Sequence, residues 1–411
     1  MTSKERLNAA WEGKPSDHIP LAAWCFGFRA PEHLRWEREG VEREFWYTQR
    51  LEHIHTLPQP WTLEDDFARV LAWRTLGMDD VLDVSVPWSV SPEATWEDSV
   101  IPQGQADPRY PVLRRAYQTP AGPVRHAVRQ TGAEPAGWVV QPDHVPLFED
   151  YNIPRAIEQP VSSPAQVPAM RYLYTPPDAA AREWFSQRMA QVGEFAGREG
   201  VPVQAWSAFG MDAAVWMLGT QGAIMLAMLE PTALGQLMEI ILEADLARTE
   251  LAAAHPAVDM VVERGWYSST DFWSPKLFDQ FVAPGLAELV RAAHRHGKKF
   301  AYVMTTGVAT LGPRLAQAGV DVLYYVDPGQ DGLPVAEARD LLGDRMTLCG
   351  GSNALALQGD RERIRADVRA ACEVLGPTHR FVLQPVDAVF PDTPWEGMEA
   401  LIRAWEECNH V

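Results

Sequence analysis

Positive charge is scarce in this chain: 36 Lys and Arg face 55 Asp and Glu, a formal charge of −19 over 411 residues. Nucleic acid and anionic membranes attract proteins through a positive field, so neither is an expected partner. A polyanionic substrate is disfavoured too, unless its pocket is locally basic; screening over about 8 Å at physiological salt allows that exception. Cysteine is also scarce. The residues at 25, 349, 372 and 408 form no C-x-x-C pair and no dense framework, which reads as a reduced cytoplasmic protein. Long apolar runs are missing. The longest uncharged stretch, Ala213 to Leu229, is too short to span a bilayer and contains Gly219, Gln221 and Gly222, so it reads as a buried helix pair. The opening Met1-Thr-Ser-Lys-Glu-Arg6 has no apolar signal core and predicts a capped helix. A full dinucleotide fingerprint is absent, so Gly350-Gly351 reads as a place of close backbone approach. His294-x-His296 sits in the last turn of a predicted helix, where contact with the helix C-terminus explains it better than a metal does; His53-x-His55 reads the same way. Cys349 reads as a small buried residue.

What the chain has in surplus is tryptophan, sixteen in all, many of them in the first half at 24, 36, 46, 61, 73, 88, 96 and 138. They serve either as ordinary packing or as the wall of a pocket for a flat ligand. What it also has is regular alternation of strand and helix. Gly319-Val-Asp-Val-Leu-Tyr-Tyr-Val-Asp-Pro328, Leu348-Cys-Gly-Gly-Ser-Asn353 and Arg380-Phe-Val-Leu-Gln-Pro-Val-Asp387 are short apolar runs ending in small or polar residues, with helical patterns between them. This is the pattern of βα units in a parallel barrel, whose chemistry sits where the strands stop. Asp327, Asn353 and Asp387 are thereby offered to one mouth.

Read from the N-terminus, the pattern predicts a helix over 3–12, a strand at 19–24, helices over 32–56 and 62–77, and a strand at 81–86. From about 94 to 130, alternation with turn signals predicts a β-meander laid over the barrel. Residues 131–176 are proline-rich, with a hairpin or short helix near 138–158. Helices then fall at 178–199, 212–228, 231–254, 274–296, 308–318, 334–342, 360–375 and 394–408, with strands at 201–206, 258–263, 299–304, 321–326, 345–349 and 380–384. The fold class is therefore α/β: a single (β/α)8 TIM barrel over 1–411 with a β-rich insertion at about 94–176. Within it Asp83 interrupts an apolar strand, and a carboxylate there must be paired, hydrogen-bonded or functional. Asp387 is in the same position. Glu263 and Arg264 end a strand, as a structural ion pair or as part of a site. Asp79-Asp80 read as a solvated turn.

Several segments together resemble the uroporphyrinogen decarboxylase superfamily, which also holds corrinoid and coenzyme M methyltransferases on one barrel. They are Thr2-Ser-Lys-Glu-Arg-Leu-Asn-Ala-Ala10, Asp17-His-Ile-Pro20, Glu263-Arg-Gly265, Ser274-Pro-Lys-Leu-Phe278, Leu315-Ala-Gln-Ala-Gly-Val-Asp-Val322 and Phe390-Pro-Asp-Thr-Pro394. The resemblance implies a small-molecule enzyme that often forms homodimers. For a decarboxylase it implies cofactor-free chemistry: the ring carbon is protonated, and an ionised aspartate stabilises the cation until carbon dioxide leaves. Asp83 falls in that role and Asp387 in the slot of a late histidine, as the second carboxylate for proton transfer. Arg29, in Trp24-Cys-Phe-Gly-Phe-Arg-Ala-Pro-Glu32, falls on one of two carboxylate-binding arginines; the other slot holds Gly27. Trp216 replaces a pocket tyrosine, and Trp24 and Phe28 are set to wall a ring. Glu263, Asp327 and Asn353 complete the expected substrate-binding set. The missing arginine points to a smaller carboxylated or methoxylated aromatic rather than to the tetrapyrrole itself. The methyltransferase branch holds zinc through a His-x-Cys pair and a later cysteine. Tyr302-Val-Met-Thr-Thr-Gly307 has no such ligand and the later slot is Asp387, so no metal is expected. The alternatives are a zinc-independent methyltransferase or O-demethylase working with a separate corrinoid protein, and a non-catalytic barrel that binds a small molecule.

Overall fold

In a computed structural model, which describes residues 1–25, 30–38, 40–43, 62–129, 153–389 and 393–409, strand and helix alternate as the pattern demands. Helix α1 (Ser3–Glu12) begins at a capping box in which Thr2 and Glu5 each satisfy the other's backbone N–H. A short hairpin of β1 (Trp36–Arg38) and β2 (Val41–Arg43) precedes α2 (Leu63–Arg74) and β3 (Leu82–Ser85). An antiparallel sheet then intervenes: β4 (Thr95–Ile101), β5 (Val112–Thr119), β6 (Gly122–Arg129) and β7 (Ala156–Glu158), in that order. After α3 (Met170–Leu173) and α4 (Ala179–Glu199) come β8 (Val203–Ala208), α5 (Gly210–Leu229), α6 (Pro231–Ala253) and β9 (Met260–Arg264). Helices α7 (Pro275–Phe281) and α8 (Ala283–Arg295) lead to β10 (Lys299–Val303), α9 (Val308–Ala318) and β11 (Val322–Val326). The chain ends with α10 (Val335–Leu342), β12 (Thr347–Asn353), α11 (Arg361–Leu375), β13 (Phe381–Val386) and α12 (Trp395–Asn409).

Seven parallel strands run in the order β13-β12-β11-β10-β9-β8-β3. The segment 20–25 supplies the eighth position. Leu21 and Cys25 bridge in parallel to Leu383 and Val389, and the Asp79 N–H donates to the Leu21 carbonyl on the other side. The ring is thus closed, as in a (β/α)8 barrel. Strand periodicity sorts the apolar side chains into two layers. Met260, Val262, Ala301, Val303, Val322 and Val382 fill the interior, together with Leu7 and Trp11 of α1. Val261, Phe300, Leu323 and Leu348 face the helices. Each fully buried side chain of this size is worth about 1.5–3 kcal/mol of transfer free energy, so closure is driven from both faces.

Three sequence expectations change. The helix expected over 32–56 gives way, in its described part, to a short 3-10 turn and the β1–β2 hairpin. Gly40 turns the chain at φ 75°. The Trp36 indole N–H donates to Asp65 and Arg38 donates to Thr62, at 3.0 and 2.9 Å, so contacts with α2 override local propensity. The single helix over 274–296 is two, because Pro284 in the first turn of α8 cannot continue the hydrogen-bond ladder of α7. Asp79 and Asp80 are not a solvated turn but buried, on Arg6 and Arg69. The hairpin or helix expected near 138–158 lies outside the described residues except for β7. The uncharged stretch is α5, whose helical course breaks at Gly219 (φ 69°, ψ 159°). It is long and apolar enough to cross a membrane by composition, but its first half is core, beneath β8 and β9.

Candidate active site

Asp83 projects from β3 into the barrel interior. Its register partner Gln204 points the same way from β8, and so does Trp206 two residues on. Gln204 Nε2 and Trp206 Nε1 both donate to Asp83 Oδ1, at 2.5 and 2.8 Å. The Tyr324 hydroxyl donates to Gln204 Oε1 at 3.1 Å, which orients the amide so that its N–H group faces the carboxylate. Loss of water raises the Asp83 carboxyl to about 6, against the pull of Arg69 and of the two donors. It is therefore an anion at neutral pH, held by neutral groups.

Above and around it stand aromatic rings. Trp24, Trp206 and Trp266 lie nearly parallel, with centroids 5.2–6.1 Å apart, and Tyr325 tilts against Trp24 at 5.9 Å. The void left among Asp83, Gln384 and these rings is about 30 Å³, room for about one or two waters. Among the described residues Gln384 Oε1 has no hydrogen-bond partner, nor has Ser85 Oγ two residues on from Asp83, so each is a polar atom that a ligand or water would engage.

A cation stands at the rim. Arg264, the last residue of β9, lies with its guanidinium 4.6 Å from the Trp266 ring centroid and 5.3 Å from that of Trp216, and its Nε is 3.5 Å from Asp212. Both Arg264 and Trp266 keep some exposed surface. Asp387 follows β13, and its charge, with that of Asp83, reaches the Tyr325 hydroxyl; burial first and these charges next hold that hydroxyl well above its usual range.

Of the residues expected from sequence, Asp83, Trp24, Trp216 and Asp387 come together around this interior and its rim. Arg29 and Phe28 lie outside the described residues, as does His53-x-His55. Three others go elsewhere. Glu263 alternates with inward-facing Val262 and so faces the helix layer, where it is buried. Asp327 accepts from the Gly329 and Gln330 N–H groups and from Asn353 Nδ2, while Asn353 accepts from the Leu355 N–H. That pair ties two strand-end loops together. Sequence reasoning missed Gln204, Trp206, Tyr325 and Gln384, and it left Arg264 undecided. The available signal was period-2 counting along each strand, which puts the first two on the Asp83 face.

The zinc of the methyltransferase branch does not fit these residues. Tyr302–Gly307 contains no His or Cys, and among the described residues no group of three His, Cys, Asp or Glu converges. His294 and His296 bind different carboxylates, Asp321 and Glu250. Cys349 lies in the interior, where burial pushes its thiol up.

A family model for uroporphyrinogen decarboxylase matches residues 148–408, more than half of the chain. The protein belongs to the uroporphyrinogen decarboxylase family. No curated protein matches it in sequence. Among solved structures, a methyltransferase from Methanosarcina mazei is similar over 99% of both chains, with TM-score 0.56 and 17% identity. That likeness is one of fold. A 3-keto-D-glucoside 4-epimerase from E. coli aligns over 56% of this chain and 87% of its own at TM-score 0.31 and 12% identity, too little to bear on the argument. For this member of the uroporphyrinogen decarboxylase family, chemistry rests on what the barrel interior holds.

Proposed function

We propose that the protein decarboxylates a small carboxylated aromatic or pyrrolic compound without a cofactor. The observation that carries this reading is Asp83: an interior carboxylate bound by neutral donors and faced by stacked indoles. The 30 Å³ void does not admit a ring, so the substrate lies over the indole layer at the rim. There Arg264 pairs with its carboxylate, and Trp266 and Trp216 flank it. Asp387, once it has taken up a proton from solvent, gives it to the ring carbon that bears the carboxylate. The ring becomes cationic, and the Asp83 charge stabilises it. The bond to the carboxylate then breaks, its electron pair returns to the ring, and carbon dioxide leaves. A fixed charge in a water-poor site lowers such a barrier by several kcal/mol.

Substituting Asp83→Asn keeps both hydrogen bonds and removes the charge. Turnover of a pyrrole or hydroxybenzoate carboxylate panel, read as released carbon dioxide, should fall about 10³-fold. Unchanged turnover removes Asp83 from the mechanism. Should the wild-type protein release no carbon dioxide yet demethylate a methoxylated aromatic when a methyl-accepting corrinoid protein is supplied, the reading passes to the methyltransferase branch. Retention of a ligand with neither reaction would make the barrel a binding protein.

A further inference from the structure

Outside the barrel, between its wall and helices α6, α7 and α8, lies a second cavity of about 200 Å³. Apolar side chains make most of its surface: Ile241, Leu242, Phe281, Leu286 and Leu289. Glu263 reaches it from β9. This side chain is 2% exposed, and among the described residues its Oε2 has no hydrogen-bond partner. A buried polar atom without a partner costs about 1–3 kcal/mol, so a protein that keeps one there leaves a place for something to fill. The backbone is adapted to the carboxyl. Gly210 begins α5 at φ 45°, and a side chain on it would meet Glu263 Oε1 at 2.3 Å.

The charge of the lining selects the occupant. Glu263, Asp245 and Glu239 line the cavity, and no Lys, Arg or His does. Asp245 is already engaged by the Phe209 and Gly210 N–H groups, the Tyr174 hydroxyl and Arg248. Asp212 is held by the Tyr267 N–H and lies beside Arg264. Glu263 has none of these. Burial, then the charges of Asp245 and Asp212, hold its carboxyl well above the usual range, so it keeps its proton until a cation arrives. An apolar cavity of about 150 Å³ accepts benzene, so this one has room for a ring and a short polar head.

We infer that this helix-layer cavity is a binding site for a small organic ammonium, whose head pairs with Glu263 and whose apolar body packs against Phe281, Leu286 and Leu289. On binding, Glu263 releases its proton to solvent and the ammonium takes its place as the counter-charge. The site is separate from the interior around Asp83 and does not depend on which reaction the barrel performs.

The test is calorimetric titration of the full chain at pH 8 with benzylamine, benzyl alcohol and toluene, each in two buffers of different ionisation enthalpy. Benzylammonium should bind one to one, at least about tenfold more tightly than benzyl alcohol, with close to one proton released per site. Glu263→Gln should weaken it at least about thirtyfold, and Leu286→Trp, which fills the cavity, should abolish it. If benzyl alcohol or toluene matches the amine, if no proton is released, or if wild type does not bind benzylammonium, the proposal fails. Binding that survives both substitutions places the amine elsewhere and also overturns it. Should either variant fail to fold, the proton count and the ranking of the three compounds decide alone.

Discussion

Asp80, two residues before β3, and Asp83, within it, stand three residues apart and both line the same narrow void. They differ in what holds them. Asp80 is bound by Arg69, itself 1% exposed, and by the backbone N–H of Val81. Its charge is spent on Arg69, which it shares with Asp66 at 3.6 Å. Among the described residues Asp83 is hydrogen-bonded by an amide and an indole, and Arg69 acts on it only through space, so its charge stays available for whatever enters above it. The floor of the barrel closes its electrostatics; the mouth leaves them open. An ion pair marks architecture, and a carboxylate kept by neutral donors marks a site.

Breaking the two in turn gives opposite outcomes. For Asp83→Asn the largest effect is on turnover: a loss of about 10³-fold, equal to about 4 kcal/mol on the barrier, with near-unchanged circular dichroism. For Asp80→Asn the effect is on stability. Arg69 loses its hydrogen-bonded counter-charge and keeps only Asp66, at 3.6 Å, so denaturant unfolding should show a loss of about 1–3 kcal/mol. If Asp80→Asn proves neutral, water reaches the floor and the contrast between the two sites disappears.

Asp83→Asn should also be the more stable protein at pH 8. Because the folded carboxyl titrates near 6 against an ordinary value of 3.8, folding takes up a proton between those limits. The favourable contribution of the protonated group is present below about pH 4 and lost as pH rises through about 6. The stability difference between variant and wild type should therefore be small at pH 4 and grow to about 3 kcal/mol by pH 8. A difference flat across this window would mean that Asp83 titrates normally.

Much of this contrast was readable in the sequence, and some was not. Asp83 announced itself because charge inside an apolar strand needs a reason. The (β/α)8 order, the 94–130 meander and α4, α6, α9 and α11 followed from periodicity, and the structure adds the caps Asp178 and Asp360. Asp79 and Asp80 were misread because their partners, Arg6 and Arg69, reach them from two different helices, α1 and α2, and only the folded chain brings those together. Glu263 was assigned to the mouth because it ends a strand; the pleat, counted from Val262, sends it to the opposite face. Asp327 and Asn353 look like site residues for the same reason, and what they do becomes visible only when both loops are in place.

Two smaller perturbations sharpen the division. Trp206→Phe removes one donor from the Asp83 carboxylate while keeping an aromatic ring. A hydrogen bond to the charged form favours it, so without the indole N–H the carboxyl titrates higher still. Activity requires the anion; its acid limb should move up by about one pH unit, a shift a purely packing role for Trp206 would not produce.

The mildest test concerns Asn353. It donates to Asp327 at 2.5 Å and caps the turn at Leu355, but it does not line the interior void. Asn353→Ala should remove about 1–2 kcal/mol of stability, since Asp327 keeps its backbone donors from Gly329 and Gln330. Turnover and its pH profile should not move. A fall in turnover at unchanged affinity would instead make the strand-end loop part of the site, and the boundary between architecture and chemistry would then run one loop farther round the barrel than Asp83 and Arg264 place it.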